Sequence, residues 1–394
     1  MILNVVFWLL LFILFYTYIG YGLVLWILVK LKQLFPASKK TYDLKYEPEV
    51  CLFVTAFNEK DYVKQKVENS FTLDYPKEKV QYIWVTDGSD DGTPEMLKSY
   101  TALEVYHQPE RRGKMHAMNR GMRFVKAPIV IFSDTNTILG VNSIREIVKM
   151  FSRPDVGCVA GEKRILEESA ESAVGAGEGL YWKLESWVKK LDSDLNSAVG
   201  AVGELFAIRA KLFEDVETDT LLDDFIISLR IALKGYKIAY APEAFALETA
   251  SLNVKEELKR KIRIAAGGVQ TLFRLKGLFN IFKYGLLTWQ YISHKVLRWT
   301  ITPVSLFLLY FVNLLIILRN SNWSPDDFFT IFFCLQNFSY YVALMGWYFE
   351  NKKIRLKIFF APYYFFMINY AAILGIIRYL KGSQSVNWEK SKRA

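Results

Sequence analysis

VQYIWVTDGSDDGT, residues 80–93, is the stretch on which the fold turns: an apolar run of strand length breaks into an Asp-Gly turn and then a helix start. PIVIFSDTNT, residues 128–137, repeats the plan, with Asp134 emerging where a second apolar run ends. Carboxylates at the ends of neighbouring strands lie where open α/β sheets bind ligands. Upstream, residues 49–56 read as a strand running into Phe57-Asn58-Glu59, followed by helical pattern over 60–71. Residues 103–107 form a further strand and 114–125 a helix. Strands alternating with helices of this length predict βαβ units and a mainly parallel sheet covered on both faces. Beyond residue 156 the pattern is mixed: strands at 156–160, 204–208 and 236–240, and helices at 174–191 and 223–234.

Apolar stretches flank this block. The chain has 394 residues, of which 52% are hydrophobic and 16% aromatic, above the usual soluble range, and the excess is concentrated. Residues 5–29 carry no charge and are long enough to cross a bilayer, as are residues near 299–318, 328–349 and 358–377. The first run is too long for a cleaved signal peptide and lacks a charged segment before it. The net charge of +10 gathers beside these spans, at Lys30, Lys32, Lys39 and Lys40 and at Lys352, Lys353, Arg355 and Lys357. That is the positive-inside pattern, not a nucleic-acid surface, so membrane lipids are the expected partner and nucleic acid is not. It places the block between the spans in the cytoplasm and predicts a multi-pass protein of the cell (inner) membrane. Four crossings would export the C-terminal tail, in which Arg378, Lys381, Lys390, Lys392 and Arg393 face only Glu389. Either the rule fails there or one C-terminal segment is re-entrant.

The organisation expected is an N-terminal transmembrane helix (1–30), an α/β domain (48–253), basic amphipathic helices lying in the membrane interface (254–298), a C-terminal transmembrane region of about three helices (299–377) and a basic tail (378–394). Cys51, Cys158 and Cys334 are too scattered for a disulfide framework or a zinc site, and the three histidines show no ligand spacing.

The motifs suit a nucleotide diphosphate. Asp87 can accept from a base N–H, and Gly88 and Gly92 let the backbone pass close to a ligand, although Asp-Gly turns are common. Asp134 and Asn136, two residues apart on an extended segment, put two oxygen-bearing side chains on one face. Mg2+ or Mn2+ takes such oxygens, often one or two from protein with the rest from substrate phosphates. Asp223-Asp224 opens a helix, where one carboxylate can cap and the other serve as a base. Lys114 and the segment from Arg260 to Arg263 offer positive charge to phosphates.

In this order and spacing, the chain over roughly residues 48–300 resembles the glycosyltransferase family 2 enzymes with a GT-A fold. Within them it is similar to the membrane-embedded synthases of cellulose, hyaluronan and poly-N-acetylglucosamine. The resemblance implies an α/β GT-A (Rossmann-like mixed sheet) domain with flanking transmembrane helices. It also implies inverting, metal-dependent transfer from a nucleotide-sugar donor, a UDP-sugar in the first instance, to a glycan or lipid-linked acceptor, and leaves polysaccharide export partners open. It assigns nucleotide contacts to Thr55, Phe57, Asn58, Glu59 and Asp87 and a diphosphate contact to Arg263, to which the charge reading adds Lys114 and Arg260 as donor contacts, with Asp134 reaching the donor through the metal. The metal falls to Asp134 and Asn136, where the family usually has Asp-X-Asp. Asp224 becomes the catalytic base, with Asp223, Glu204 and Phe206 on the acceptor side. The family's Gln-X-X-Arg-Trp motif maps onto Arg260-Lys261-Ile262-Arg263-Ile264, so an aliphatic residue stands where a tryptophan would meet the acceptor sugar. Two other readings share parts of this pattern: a polyprenyl-phosphate sugar synthase, and a non-catalytic membrane subunit of a glycan synthase.

Overall fold

The computed structural model describes residues 1–35, 41–166, 173–320, 323–352 and 357–382. Lys39, Lys40, Lys353, Arg355 and the tail residues Glu389, Lys390, Lys392 and Arg393 lie outside the described residues. The sheet has eight strands, β1 (Val50–Ala56), β2 (Val80–Asp87), β3 (Glu104–Gln108), β4 (Ile129–Asp134), β5 (Ile138–Leu139), β6 (Val156–Ile165), β7 (Leu205–Arg209) and β8 (Lys237–Glu248), in the order β3-β2-β1-β4-β7-β6-β8-β5.

Strand periodicity explains why both faces are covered. On β1, Val50, Leu52 and Val54 enter one core and Cys51 and Phe53 the other; on β2, Tyr82 and Trp84 part in the same way from Ile83 and Val85. Helices α1 (Ile2–Gln33), α2 (Lys60–Thr72), α3 (Thr93–Lys98), α4 (Lys114–Met122), α5 (Ser143–Met150), α6 (Ala173–Leu195), α7 (Asp223–Leu233) and α8 (Val254–Arg274) precede the C-terminal region. Val63 and Val67 of α2, Leu97 of α3 and Ile144 and Ile147 of α5 close one face; Met115 and Met118 of α4, Phe225 to Leu229 of α7 and Leu272 of α8 close the other.

The sheet is less parallel than its local pattern predicts. β1, β2, β3 and β4 run parallel, but β7 is antiparallel to both β4 and β6, and β5 is antiparallel to β8. The reversal matters for the site: β7 pairs Leu205 with Ser133, so the preceding Glu204 arrives beside the end of β4. β8 reaches Glu248, well past residue 240. Its register against β6 shifts between Ala160 and Glu162, where Pro242 and Glu243 interrupt the apolar run.

After α8, α9 (Leu286–Tyr291) continues through a π-helical turn at Ile292–Val296 into Leu297–Trp299, followed by α10 (Ile301–Asn320), α11 (Phe328–Asn351) and α12 (Lys357–Leu380). Among the described residues, α1, α10, α11 and α12 are long and apolar enough to cross a membrane. The N-terminal half of α1 packs on α10 through Phe7, Leu10, Leu309 and Ile316. Its C-terminal half rests on α6, where the Tyr21 hydroxyl donates to Asp192 and Lys32 Nζ donates to the Asp194 carbonyl (2.9 Å).

The basic helix α8 differs from the interface helix expected of residues 254–298. Arg260, Lys261 and residues 265–272 are buried, because Leu221 and Leu222 press on Gly267 and α12 lies along the other side. On α12, Tyr364 Oη donates to Glu257 (2.9 Å), Gly375 abuts Ala265, and Tyr379 stacks on Phe273 (5.7 Å, 12°). Apolar side chains reach the surface further on, at Phe279, Ile281, Phe282 and Leu286.

Candidate functional site

The ends of β1, β2 and β4 align, with Thr55 opposite Asp134 and Ala56 opposite Thr86, so three strand-end loops meet along one edge. The Thr135 hydroxyl donates to the Thr55 carbonyl (3.0 Å). Asn58, held at φ 51°, donates to Asp90 (2.8 Å) and accepts from its N–H (3.0 Å), which joins the loops after β1 and β2. Glu59 is buried against Thr93, whose hydroxyl accepts the Glu59 N–H (3.0 Å).

Asp87 takes a different place from the open acceptor expected of it. Its carboxylate accepts the N–H groups of Arg112 (3.1 Å) and Gly113 (2.7 Å), the orphan donors ahead of α4, and so holds the Arg111-Arg112-Gly113 loop. Gly113 at φ 94° then aims Lys114 across the strand ends. The Arg111 guanidinium covers Phe57 at 3.9 Å, leaving a cleft of only about 10 Å³ between Thr55, Phe57 and Asp87.

Lys114 is the junction of the site. Its ammonium lies 3.0 Å from Asp134 and 3.0 Å from Asp223. Burial pulls its pKa down, but the two carboxylates outweigh burial and raise it, so the group stays charged. Asp134 is raised by burial, then by Glu204 and Asp223, against the pull of Lys114. The cap position of α7 falls on Leu222, which offers no side-chain cap, and Asp223 spends its carboxylate on Lys114. Asp224 lines the cavity with its pKa pushed up to about 8, by burial first and then by Asp223 and Glu204, with Lys114 opposing. That is a carboxylate tuned towards the working range of a general base.

The site opens into a cavity of about 1270 Å³ that runs from Glu59, Asp134 and Asp224 to Tyr18, Phe365 and Asn369 on the apolar helices. It exceeds the usual space for one small ligand. Arg263 lines it and makes no ion pair or hydrogen bond among the described residues; burial lowers its pKa while Asp223, Asp134 and Asp224 oppose.

Arg260 and Phe206 are engaged differently from what was expected of them. Arg260 also borders the cavity, but Glu178 (2.6 Å) and Glu257 (2.9 Å) take its guanidinium, because Glu257 sits one turn before it and α6 delivers Glu178. Phe206 is inside the core, stacked on Phe132 at 4.7 Å, since it follows Glu204 two positions down a strand that descends from the rim. Glu204 stays at the rim and pairs with Lys163 (2.7 Å).

Lys163 and Lys66 are among the buried lysines that escaped the motif reading. Lys163 is fully buried between Glu178, Glu204 and Glu248, and Glu248 in turn accepts the Asn136 amide N–H (3.1 Å). Lys66 lies under the Asp134–Thr137 turn, donating to Ser133 Oγ (2.7 Å) and the Thr137 carbonyl (2.9 Å), and burial lowers its pKa to about 7. A lysine inside an amphipathic helix reads locally as surface; neither signal exists before the fold brings the partners.

Among the described residues, no three His, Cys, Asp or Glu side chains converge closely enough to hold a metal by themselves. Lys114 engages Asp134 through Oδ1, and the bond to Glu248 fixes the Asn136 amide so that its oxygen remains for another partner. These two oxygens fit a divalent cation that completes its shell with phosphate and water, not one in a closed protein cage.

Residues 48–267, more than half of the chain, match the family described as "Glycosyltransferase like family 2". The chain is 27% identical over 250 residues to a poly-beta-1,6-N-acetyl-D-glucosamine synthase of Staphylococcus aureus (strain MSSA476), covering 59% of this chain and 60% of that one. It is 26% identical over 204 residues to a beta-monoglucosyldiacylglycerol synthase of Synechocystis sp., covering 48% of this chain and 42% of that one. The chain thus spans about 60% of the length of the first of these curated relatives. Among solved structures, mannosyltransferase PcManGT from Pyrobaculum calidifontis, in complex with GDP-Man and Mn2+, superposes with TM-score 0.73 over 97% of this chain and 100% of that one. At 20% identity this establishes a shared GT-A-like fold.

Proposed function

Because the chain belongs to glycosyltransferase-like family 2, we propose that it is a membrane-bound, inverting glycosyltransferase that moves a sugar from a nucleotide-diphosphate donor to a glycan or lipid-linked acceptor. The observation that carries this reading is Lys114, on which Asp134 and the Asp223-Asp224 pair converge beside the uncommitted Arg263. Asp224 accepts the proton of an acceptor hydroxyl, whose oxygen attacks the anomeric carbon. The bond to the diphosphate breaks on the opposite face, so a single displacement inverts the centre. Arg263 binds the departing diphosphate, and Lys114 adds charge from the sheet side. A Mg2+ or Mn2+ ion held by Asp134 and Asn136 would supply further positive charge to the diphosphate. Asp87 acts on the donor by shaping the loop that carries Lys114.

The cavity's reach between apolar helices supports an acceptor that arrives from the membrane, whether the end of a growing glycan or a lipid carrying a sugar or phosphate. The test is a panel of radiolabelled nucleotide sugars given to the detergent-purified protein with a lipid extract, with Mn2+, Mg2+ or a chelator. One donor is expected to be consumed, at least tenfold faster with metal, and the product to carry the inverted linkage. Sizing and solvent extraction separate polymer from charged lipid. Failure to turn over any donor with metal present would favour the non-catalytic subunit instead.

We place the sheet domain on the cytoplasmic side of the inner membrane, with crossings by α1, α10 and α11 only. Between Tyr364 and Tyr379, about 22 Å of helix, α12 stays against α8. That helix is fastened to the sheet domain by Arg274 to Asp219 (2.6 Å) and by Gln270 Oε1, which accepts the Leu221 N–H (3.0 Å). A helix bound at both ends to a cytoplasmic element does not cross, and the basic tail then stays inside, in line with its charge. A green fluorescent protein fused after the last residue is expected to fluoresce, whereas an active alkaline phosphatase fusion there would refute the arrangement.

A further inference from the structure

Ile264 stands where the resemblance expects a tryptophan, yet an indole reaches the same helix from another element. Ile264 and Gly268 are one turn apart on one face of α8. A Cβ on Gly268 would lie 2.5 Å from Trp299 Cε3, so only a glycine lets that ring settle there. The Trp299 and Phe225 rings meet edge to face, with centres 5.0 Å apart and planes at 69°, and Phe225 directly follows Asp224. Trp299 is partly exposed, and it lines the large cavity together with Asp224, Phe225 and Ile264.

The other tryptophan on the cavity wall, Trp182, is occupied differently. Lys163, Lys189 and Lys261 lie 5.3, 5.8 and 5.9 Å from its ring centre. Three ammonium groups around one indole make it a partner for cations, not a free face for a sugar. Trp299 has no cation within such reach among the described residues, and it shares with the proposed base the wall of the cavity that an acceptor must enter.

We propose that Trp299 is the aromatic platform for the acceptor's terminal sugar, taking over from the α9 segment the stacking that Ile264 cannot provide. The proposal rests on the glycosyl-transfer reading above. It predicts that the acceptor is recognised as a saccharide ring next to Asp224, through the apolar face of a pyranose against the indole.

The experiment uses the full-length protein, the donor it consumes, and octyl β-glucoside and octyl N-acetyl-β-glucosaminide as acceptor probes. Trp299→Leu keeps an apolar side chain against Phe225 but removes the ring; Trp299→Phe keeps a ring. We expect Trp299→Leu to raise the acceptor KM about tenfold with the donor KM unchanged, and Trp299→Phe to stay within about threefold of the parent. Adding Ile264→Trp to Trp299→Leu should recover part of the acceptor KM. An unchanged acceptor KM in Trp299→Leu overturns the proposal. So does an equal rise in donor and acceptor KM in both variants, which would mark a packing role. Glycosylation of the lipid extract with neither octyl glycoside accepted also overturns it, since the acceptor group would then not be a sugar. Should Trp299→Leu not be recovered as a monodisperse protein, Ile264→Trp alone decides: a lowered acceptor KM supports a shared stacking face, and no change refutes it. If the parent protein consumes no donor at all, the transfer reading has failed.

Discussion

Asp224→Asn is expected to lower kcat by about 10²- to 10⁴-fold, the range for loss of a positioned general base, while the donor KM changes little. Asparagine keeps the size of the side chain and its place at the start of α7, so the loss reads the proton transfer and not the packing. The pH dependence adds a second signature. The carboxyl is pushed up to about 8 by burial and by its neighbours Asp223 and Glu204, and a base works only when deprotonated. The kcat/KM of the parent should therefore rise with pH and level off above about 8. Stability moves the other way. A carboxyl whose folded pKa lies above its unfolded value of about 4 costs stability increasingly as pH climbs from that value to about 8. Asp224→Asn should thus raise Tm, with a larger gain at pH 8 than at pH 5, as read by thermal unfolding in detergent. Near-normal turnover by this variant would remove Asp224 from the mechanism.

Lys163→Met is expected to be the most damaging single change to the fold, costing about 3–5 kcal/mol at neutral pH. Lys163 is fully buried, and its removal takes away the ammonium that Glu204 and Glu248 both contact, while Glu178 keeps Arg260. Burial by itself would raise Glu204; Lys163 overcomes this and holds it well below the usual carboxylate range. For such a depressed carboxyl, the stabilisation is present above its unfolded pKa, near 4, and is lost as pH falls. The gap in Tm between parent and variant should therefore narrow towards pH 4. The same change removes one of the contacts that hold Glu248, the acceptor of the Asn136 amide N–H, so any variant that still folds should need more Mn2+ to reach half-maximal rate. An unaltered Tm at pH 7.5 would show that the buried cluster carries no net stability.

The amino-acid order carried the site part of the way. Asp134, Asp223, Asp224 and Arg263 come together as their motifs suggest, because each motif adjoins an element whose local pattern is strong. Arg260 could not be told from Arg263 in this way: three residues apart on one helix, both read as phosphate cations. The difference lies in Glu178, 82 residues away in the chain, which meets one guanidinium and not the other. Phe206 was misplaced for a related reason. The alternation in Glu204–Phe206 is plain, but which end of β7 stands at the rim depends on its antiparallel pairing with β4.

What the sequence by itself determined is local in origin. Apolar runs of strand length set the first four strands, acid-rich breaks marked the ends of β2 and β4, and uncharged runs of membrane length marked the flanking helices, since each signal depends only on residues a few positions apart. The tertiary structure alone decided the rest: the reversal of β7, the burial of Lys66 and Lys163, the engagement of Asp87 by backbone donors, the path of α12 along α8, and the indole that Trp299 lays over Gly268. Each of these depends on desolvation, counter-charge or close approach between segments far apart in the chain. No pattern of neighbouring residues encodes such a meeting until the fold has made it.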